Sequence, residues 1–161
     1  MVPVRSSGSK LIPRIPTGMS KSGIIDTERT HLRMKIFFDV DYTLIADDGS
    51  LRPHVKEVFQ KIKDDGHCIF IWSGVGLRWE VVKRHELDGF IETCYIKPLS
   101  DYKDSLGELG VKEVPDFCID DHNGVVMAFG GTAVRPYYTR NPNDEEMLRV
   151  YEDIKLAFTN T

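Results

Sequence analysis

Short apolar runs alternating with amphipathic helical segments predict an α/β fold, a three-layer α/β/α sandwich around a mostly parallel sheet. Two features carry this expectation. The runs MKIFFDV (34–40), CIFIW (68–72), TCYI (93–96) and DFCI (116–119) are short and almost continuously apolar, as strands buried on both faces are. The segments between them are long enough for the crossovers that parallel strands require. A chain of 161 residues, 41% hydrophobic and 29% charged, has the size and composition of one globular domain.

The elements follow in order. A turn-rich stretch, ADDGSLRP (46–53), comes after the first strand. Pro53 then opens a helix in which Val55, Val58, Phe59 and Ile62 recur at three- and four-residue spacing, and Gly66 stops it. GLRWEVVKRHEL (76–87) reads as a helix after the second strand. YKDSLGELG (102–110) reads as a helix ended by Gly110, and residues 123–129 as a short helix after the fourth strand. TAVRPY (132–137) is a weak fifth strand, placed at an edge because Pro136 cannot donate a ladder hydrogen bond. DEEMLRVYEDIKLAF (144–158) is the last helix, with Asn143 or Asp144 as its N-cap.

Residues 1–33 are rich in Ser, Gly and Pro and lack sustained periodicity. They read as a basic, flexible N-terminal extension, and 34–161 as the folded domain. The extension carries a net charge of +4 and the remainder −8. The acidic body weighs against nucleic acid, though the basic head offsets this in part. No apolar run reaches the ~18 residues of a spanning helix, so no membrane partner is expected. Cys68, Cys94 and Cys118 form no CxxC pair and lie in apolar segments, as free thiols of a reducing compartment do. No apolar signal segment is visible near Met1, and the expected location is cytoplasmic.

In open parallel sheets ligands bind beyond the carboxyl ends of the strands. The residues there are Asp39-Val40-Asp41-Tyr42-Thr43, Ser73-Gly74, Lys97-Pro98 and Asp120-Asp121. Period two places Asp39 and Asp41 on one side of the strand tip. Two carboxylates ~4 Å apart at an effective dielectric of ~20 repel by about 4 kcal/mol, so such a cluster needs protons or a cation. Hard oxygen ligands without His or Cys favour Mg²⁺. One lysine and one serine hydroxyl then suit the remaining oxygens of a phosphoryl group, whose transfer asks mainly for positioning and charge neutralisation.

These motifs resemble those of the haloacid dehalogenase superfamily of phosphatases. IFFDVDYTLI is similar to the family's first motif, an Asp-x-Asp-x-Thr pattern after an apolar strand. CIFIWS resembles the second, Lys97-Pro98 the third and FCIDD the fourth, in the family's order, over residues 34 to about 136. The resemblance implies a Rossmann-like domain and a Mg²⁺-dependent phosphomonoester hydrolase acting through an aspartyl-phosphate. By it, Asp39 is the nucleophile. Asp41 protonates the leaving oxygen and then activates water. Thr43 shapes the turn that aims Asp41. Ser73, Gly74 and Lys97 hold the phosphoryl group. Mg²⁺ is held by Asp39, the backbone carbonyl of Asp41, and Asp120, with Asp121 behind them or acting through a water. Tyr42 stands where many relatives have Gly, a difference that bears on substrate access.

Larger relatives insert a cap domain. Here Leu44 to Arg52 and Gly74 to Ile96 are too short to hold one. An open crevice suits a phosphorylated macromolecule. The other reading is a small phosphorylated metabolite, with a neighbouring subunit of a homo-oligomer closing the site. A phosphate-binding or regulatory protein without turnover on the same fold is the alternative function. Several residues take plainer readings. Asp47-Asp48-Gly49 is a turn, Arg78 a solvated charge, Trp79 a core aromatic, Lys103 a solvated helix lysine, and His122 a surface residue beside the acidic pair.

Overall fold

A computed structural model of the chain describes residues 33–161. The expected N-terminal extension lies outside the described residues, Arg33 excepted. The strands are β1 (Lys35–Phe38), β2 (Cys68–Ser73), β3 (Ile91–Ile96), β4 (Phe117–Asp120) and β5 (Gly131–Ala133). The helices are α1 (Val55–Asp64), α2 (Trp79–Arg84), α3 (Tyr102–Ser105), α4 (Asn123–Phe129) and α5 (Glu146–Thr159). The strands form one sheet in the order β3-β2-β1-β4-β5, and every pairing is parallel.

Period two divides the core into two layers. Ile36, Phe38, Ile69, Ile71 and Ile119 face α1, α2 and α5, whose Phe59, Ile62, Val82, Val150 and Ile154 are fully buried against them. Phe37, Phe70, Trp72 and Cys118 face the other way, toward Leu106, Val111 and Val125. Phe37 stacks on Phe70 at 4.7 Å and meets Trp72 edge-on at 4.7 Å. This is the expected α/β sheet covered on both sides, and it fixes the strand tips that carry the polar residues.

Several boundaries differ from the sequence expectation. The helix expected from residue 76 starts at Trp79, because Gly76 has φ 136° and keeps the preceding residues in a loop. The helix expected over 102–110 is confined to Tyr102–Ser105, followed by turns to Gly110 at φ 73°. Glycines at 107 and 110 weaken any longer helix there. The fifth strand lies at the edge but stops at Ala133, short of Pro136. The last helix begins at Glu146 behind Glu145, with no side chain capping from the cap position. Asp144, expected as a cap, accepts the Glu146 N–H at 3.2 Å, but both of its oxygens are taken by Arg52. None of the described helices is long and apolar enough to cross a membrane.

Candidate active site

Strand order reverses at β1, with β2 on one side and β4 on the other. Such a switch point leaves a crevice beyond the strand ends. The Asp39 N–H donates to Ile119 O at 2.9 Å, which pins the residue after β1 beside the end of β4. Lys97 follows β3, and its N–H donates to Ser73 O at 2.9 Å at the end of β2. Four strand tips thus bring their polar residues to one end of the sheet.

Lys97 lies between two acids. Its Nζ is 2.9 Å from Asp39 Oδ1 and 2.8 Å from Asp120 Oδ2. Thr43 Oγ1 donates to Asp39 Oδ2 at 3.0 Å, and the His122 N–H donates to Asp120 Oδ1 at 2.9 Å. Asp39, Asp120 and Asp121 each place a carboxylate oxygen within 4.8 Å of the others. All four charged side chains are buried, the most exposed being Lys97 at 9%.

One ammonium cannot balance three carboxylates in so dry a place. Burial, then the charge of Asp120, pushes the Asp39 carboxyl up to about 7, although Lys97 pulls the other way. Burial likewise raises Asp120 against the pull of Lys97. For Lys97 burial opposes the charge, but Asp39 and Asp120 outweigh it and its pKa rises. A hard divalent cation among Asp39, Asp120 and Asp121 would supply the missing positive charge, and an all-oxygen donor set suits Mg²⁺.

The carboxylate of Asp41 does not join this cluster. β1 ends at Phe38, so strand alternation does not reach residue 41. The chain coils instead: the N–H groups of Thr43, Leu44 and Ile45 all converge on Val40 O at 3.2, 2.9 and 3.3 Å. The Asp41 carboxylate turns outward and pairs with Nη1 of Arg78. Arg78 also reaches Glu80 at 2.6 Å, and its side chain is only 15% exposed. It is therefore a site neighbour rather than a solvated charge. Trp79, expected in the core, is instead 37% exposed.

Ser73 is buried, and its Oγ accepts the Val75 N–H at 3.3 Å. Gly74 lies under Leu99, where an added Cβ would come 2.6 Å from Leu99 Cδ2. The His122 side chain is 83% exposed, with its ring 3.7 Å from Asp121. Lys103 and Asp47-Asp48 are exposed, as expected. One residue was missed by sequence reasoning. Arg52 is fully buried and donates to Thr43 O at 3.3 Å, so it braces the residue whose hydroxyl holds Asp39. Nothing in a turn-rich stretch before Pro53 marks it out.

The four motifs that resemble those of haloacid dehalogenase phosphatases thus occupy the ends of β1 to β4. No family model matches the chain, and no curated protein matches it. Among solved structures, the chain is similar to fission yeast RNA polymerase II CTD phosphatase Fcp1 bound to beryllium fluoride, at 14% identity with a TM-score of 0.48. The match covers 88% of this chain and 55% of that one, so this chain spans little more than half of its neighbour's length. The likeness is one of fold alone.

Proposed function

We propose that this chain is a Mg²⁺-dependent phosphomonoester hydrolase whose nucleophile is Asp39. One observation supports this above the others: a buried lysine clamps Asp39 to Asp120 inside a carboxylate cluster that is one cation short of balance. Asp39, Asp120 and Asp121, with the backbone carbonyl of Asp41, would hold Mg²⁺, which when bound offsets negative charge on the phosphoryl oxygens.

Each residue then has a definite task. Lys97 and the Thr43 hydroxyl fix the Asp39 carboxylate and keep it from rotating. Asp39 attacks phosphorus and the ester P–O bond breaks. Asp41, 40% exposed at the edge of the crevice, gives its proton to the departing oxygen. In the second half Asp41 takes a proton from water, the water oxygen attacks phosphorus, the bond to Asp39 breaks and phosphate leaves. Lys97 balances charge throughout, while Ser73 and Gly74 border the phosphoryl position. Among the described residues no cap domain lies over the crevice, which suits a phosphorylated macromolecule. The free thiols Cys68, Cys94 and Cys118 suit a cytoplasmic location.

The direct test is hydrolysis of a generic phosphomonoester with and without Mg²⁺. Wild type turns over with Mg²⁺ and stops with chelator, and Asp39→Asn loses at least about 10³-fold of kcat. Hydrolysis that survives Asp39→Asn would defeat the reading. One observation favours binding without turnover: Arg78 holds the Asp41 carboxylate. In that case phosphate binds in the presence of Mg²⁺ and no ester on a broad panel is hydrolysed.

A further inference from the structure

Tyr42 has φ 62°, in the left-handed region that disfavours an aromatic residue. The turn holds it there from both sides. Its N–H donates to Ile45 O at 2.9 Å, and its carbonyl accepts the Tyr137 N–H at 2.7 Å. Glycine would take the same turn without penalty. The backbone therefore gives no reason for a tyrosine, and the reason lies in the ring.

The ring lies beside an exposed aromatic neighbour. It meets Tyr138 at 5.1 Å with the planes inclined by 60°, and Tyr138 is 60% exposed. Tyr42 also lines a cleft of about 370 Å³ together with Asp41, Ile45, Arg78 and Val81. A cavity of about 150 Å³ already accepts benzene, so one aromatic ring fits with room to spare. Ile45 and Val81 add a little apolar surface to a cleft that is mostly polar, and Arg78 adds a planar cation. Asp41 lines this cleft, so if it protonates the leaving oxygen, the group bonded to that oxygen lies beside it.

We propose that Tyr42 is a specificity-determining residue that selects phosphomonoesters of phenols, the leaving aryl ring lying in the cleft against its face. The inference rests on the phosphatase reading for the position of the leaving group, but its test is a binding test that needs no turnover. Phenylphosphonate and cyclohexylphosphonate have the same anionic head and similar size, and only the first is flat. Calorimetric titration with both, in Mg²⁺, is run on wild type, Tyr42→Phe, Tyr42→Leu and Tyr42→Gly.

Wild type and Tyr42→Phe should bind the phenyl compound about fivefold tighter than the cyclohexyl one, the scale of a single aromatic contact. Tyr42→Leu should lose that preference. Tyr42→Gly should lose it too while its Tm rises, because relief of the left-handed strain stabilises the fold. Loss of selectivity alongside a gain in stability is not what a merely structural tyrosine gives. A preference that persists in Tyr42→Leu and Tyr42→Gly, or wild type that binds neither compound or binds both equally, overturns the proposal. Failure of the phosphatase reading looks different: selective phosphonate binding with no hydrolysis of phenyl phosphate. A phosphotyrosyl peptide beside phenyl phosphate, both assayed for turnover, distinguishes a protein-borne phenol from a free one.

Discussion

Two cations, Arg52 and Lys97, are buried in this domain, and their surroundings are opposite in kind. Arg52 is satisfied. Its Nε and Nη2 grip both oxygens of Asp144 at 2.7 and 3.0 Å, two further donors meet the carbonyls of Thr43 and Arg135, and its guanidinium lies 5.0 Å from the Tyr137 ring. One positive charge faces one negative charge. Lys97 has the reverse arrangement, a single ammonium against Asp39, Asp120 and the nearby Asp121. The acids show the consequence. Burial works against the Asp144 charge, yet Arg52 holds its carboxyl below the usual range. At Asp39 burial and Asp120 prevail and the carboxyl rises to about 7. A balanced buried pair holds structure together, whereas an unbalanced cluster is poised to take up positive charge.

Removing each cation in turn should have opposite effects. Lys97→Met should lower hydrolysis by about 10³-fold or more, since the charge facing the phosphoryl group goes. Its Tm should move little, because Asp39 and Asp120 can share a proton in place of the ammonium. Arg52→Met should do the opposite. It strands Asp144 and the carbonyls of Thr43 and Arg135, and costs about 3–5 kcal/mol of stability, read as a lower denaturation midpoint, while the folded fraction still turns over, slowed only through the loosened Thr43. An Arg52→Met protein of unchanged Tm and no activity would reverse the two roles.

The next effect is in pH. Asp39 titrates near 3.8 in the unfolded chain and at about 7 in the folded one. Between those values the folded state holds a proton that the unfolded chain has released. Metal-free protein should therefore lose stability as pH rises from about 4 to about 7, then level off, by up to about 4 kcal/mol. Asp144 and Glu146 are lowered and act the other way, giving stability that is present above their unfolded pKa and lost in acid. Denaturation of wild type and Asp39→Asn across this range, in chelator, isolates the Asp39 contribution as the difference. A flat difference would remove the claim that the cluster is short of a cation. Mg²⁺ sharpens the same contrast. At a hundredfold excess over its Kd it should stabilise wild type by about 2.7 kcal/mol and Asp120→Asn far less.

Much of this was legible in the sequence because apolar runs identify buried strands and the ends of parallel strands point to one crevice. Ile36, Phe37 and Phe38 announced β1, and Asp39, Lys97 and Asp120 followed from where their strands stop. What escaped reading depends on backbone that leaves the strand. Period two places Asp41 beside Asp39, but β1 ends at Phe38 and the chain coils around Val40 O, and the Asp41 carboxylate pairs with Arg78. Arg52 and Arg78 come from loops, and their partners are 92 and 37 residues away. No local pattern encodes a contact set by the packing of distant loops. The short helices failed similarly: glycines at 76, 107 and 110 trimmed segments that apolar spacing alone extended.

The smallest expected effect tests how the two regions are joined. Thr43 is fully buried and faces both ways: its carbonyl accepts from Arg52 at 3.3 Å, and its hydroxyl donates to Asp39 at 3.0 Å. Thr43→Val keeps the shape and the carbonyl but deletes the donor. The net loss of one hydrogen bond to a charged acceptor is about 1.5–3 kcal/mol when fully expressed, and Lys97 still holds the other oxygen of Asp39. Turnover should fall about tenfold, the low end of that range, with KM little changed, and Thr43→Ser should restore it. The backbone link predicts something further. Arg52→Lys, which keeps the charge but loses the planar fork, should loosen Thr43 and lower kcat only where the hydroxyl is present. In Thr43→Val the same Arg52 change should then add little. A double-mutant cycle on kcat reads this coupling directly, and additive losses would mean that Arg52 serves stability alone.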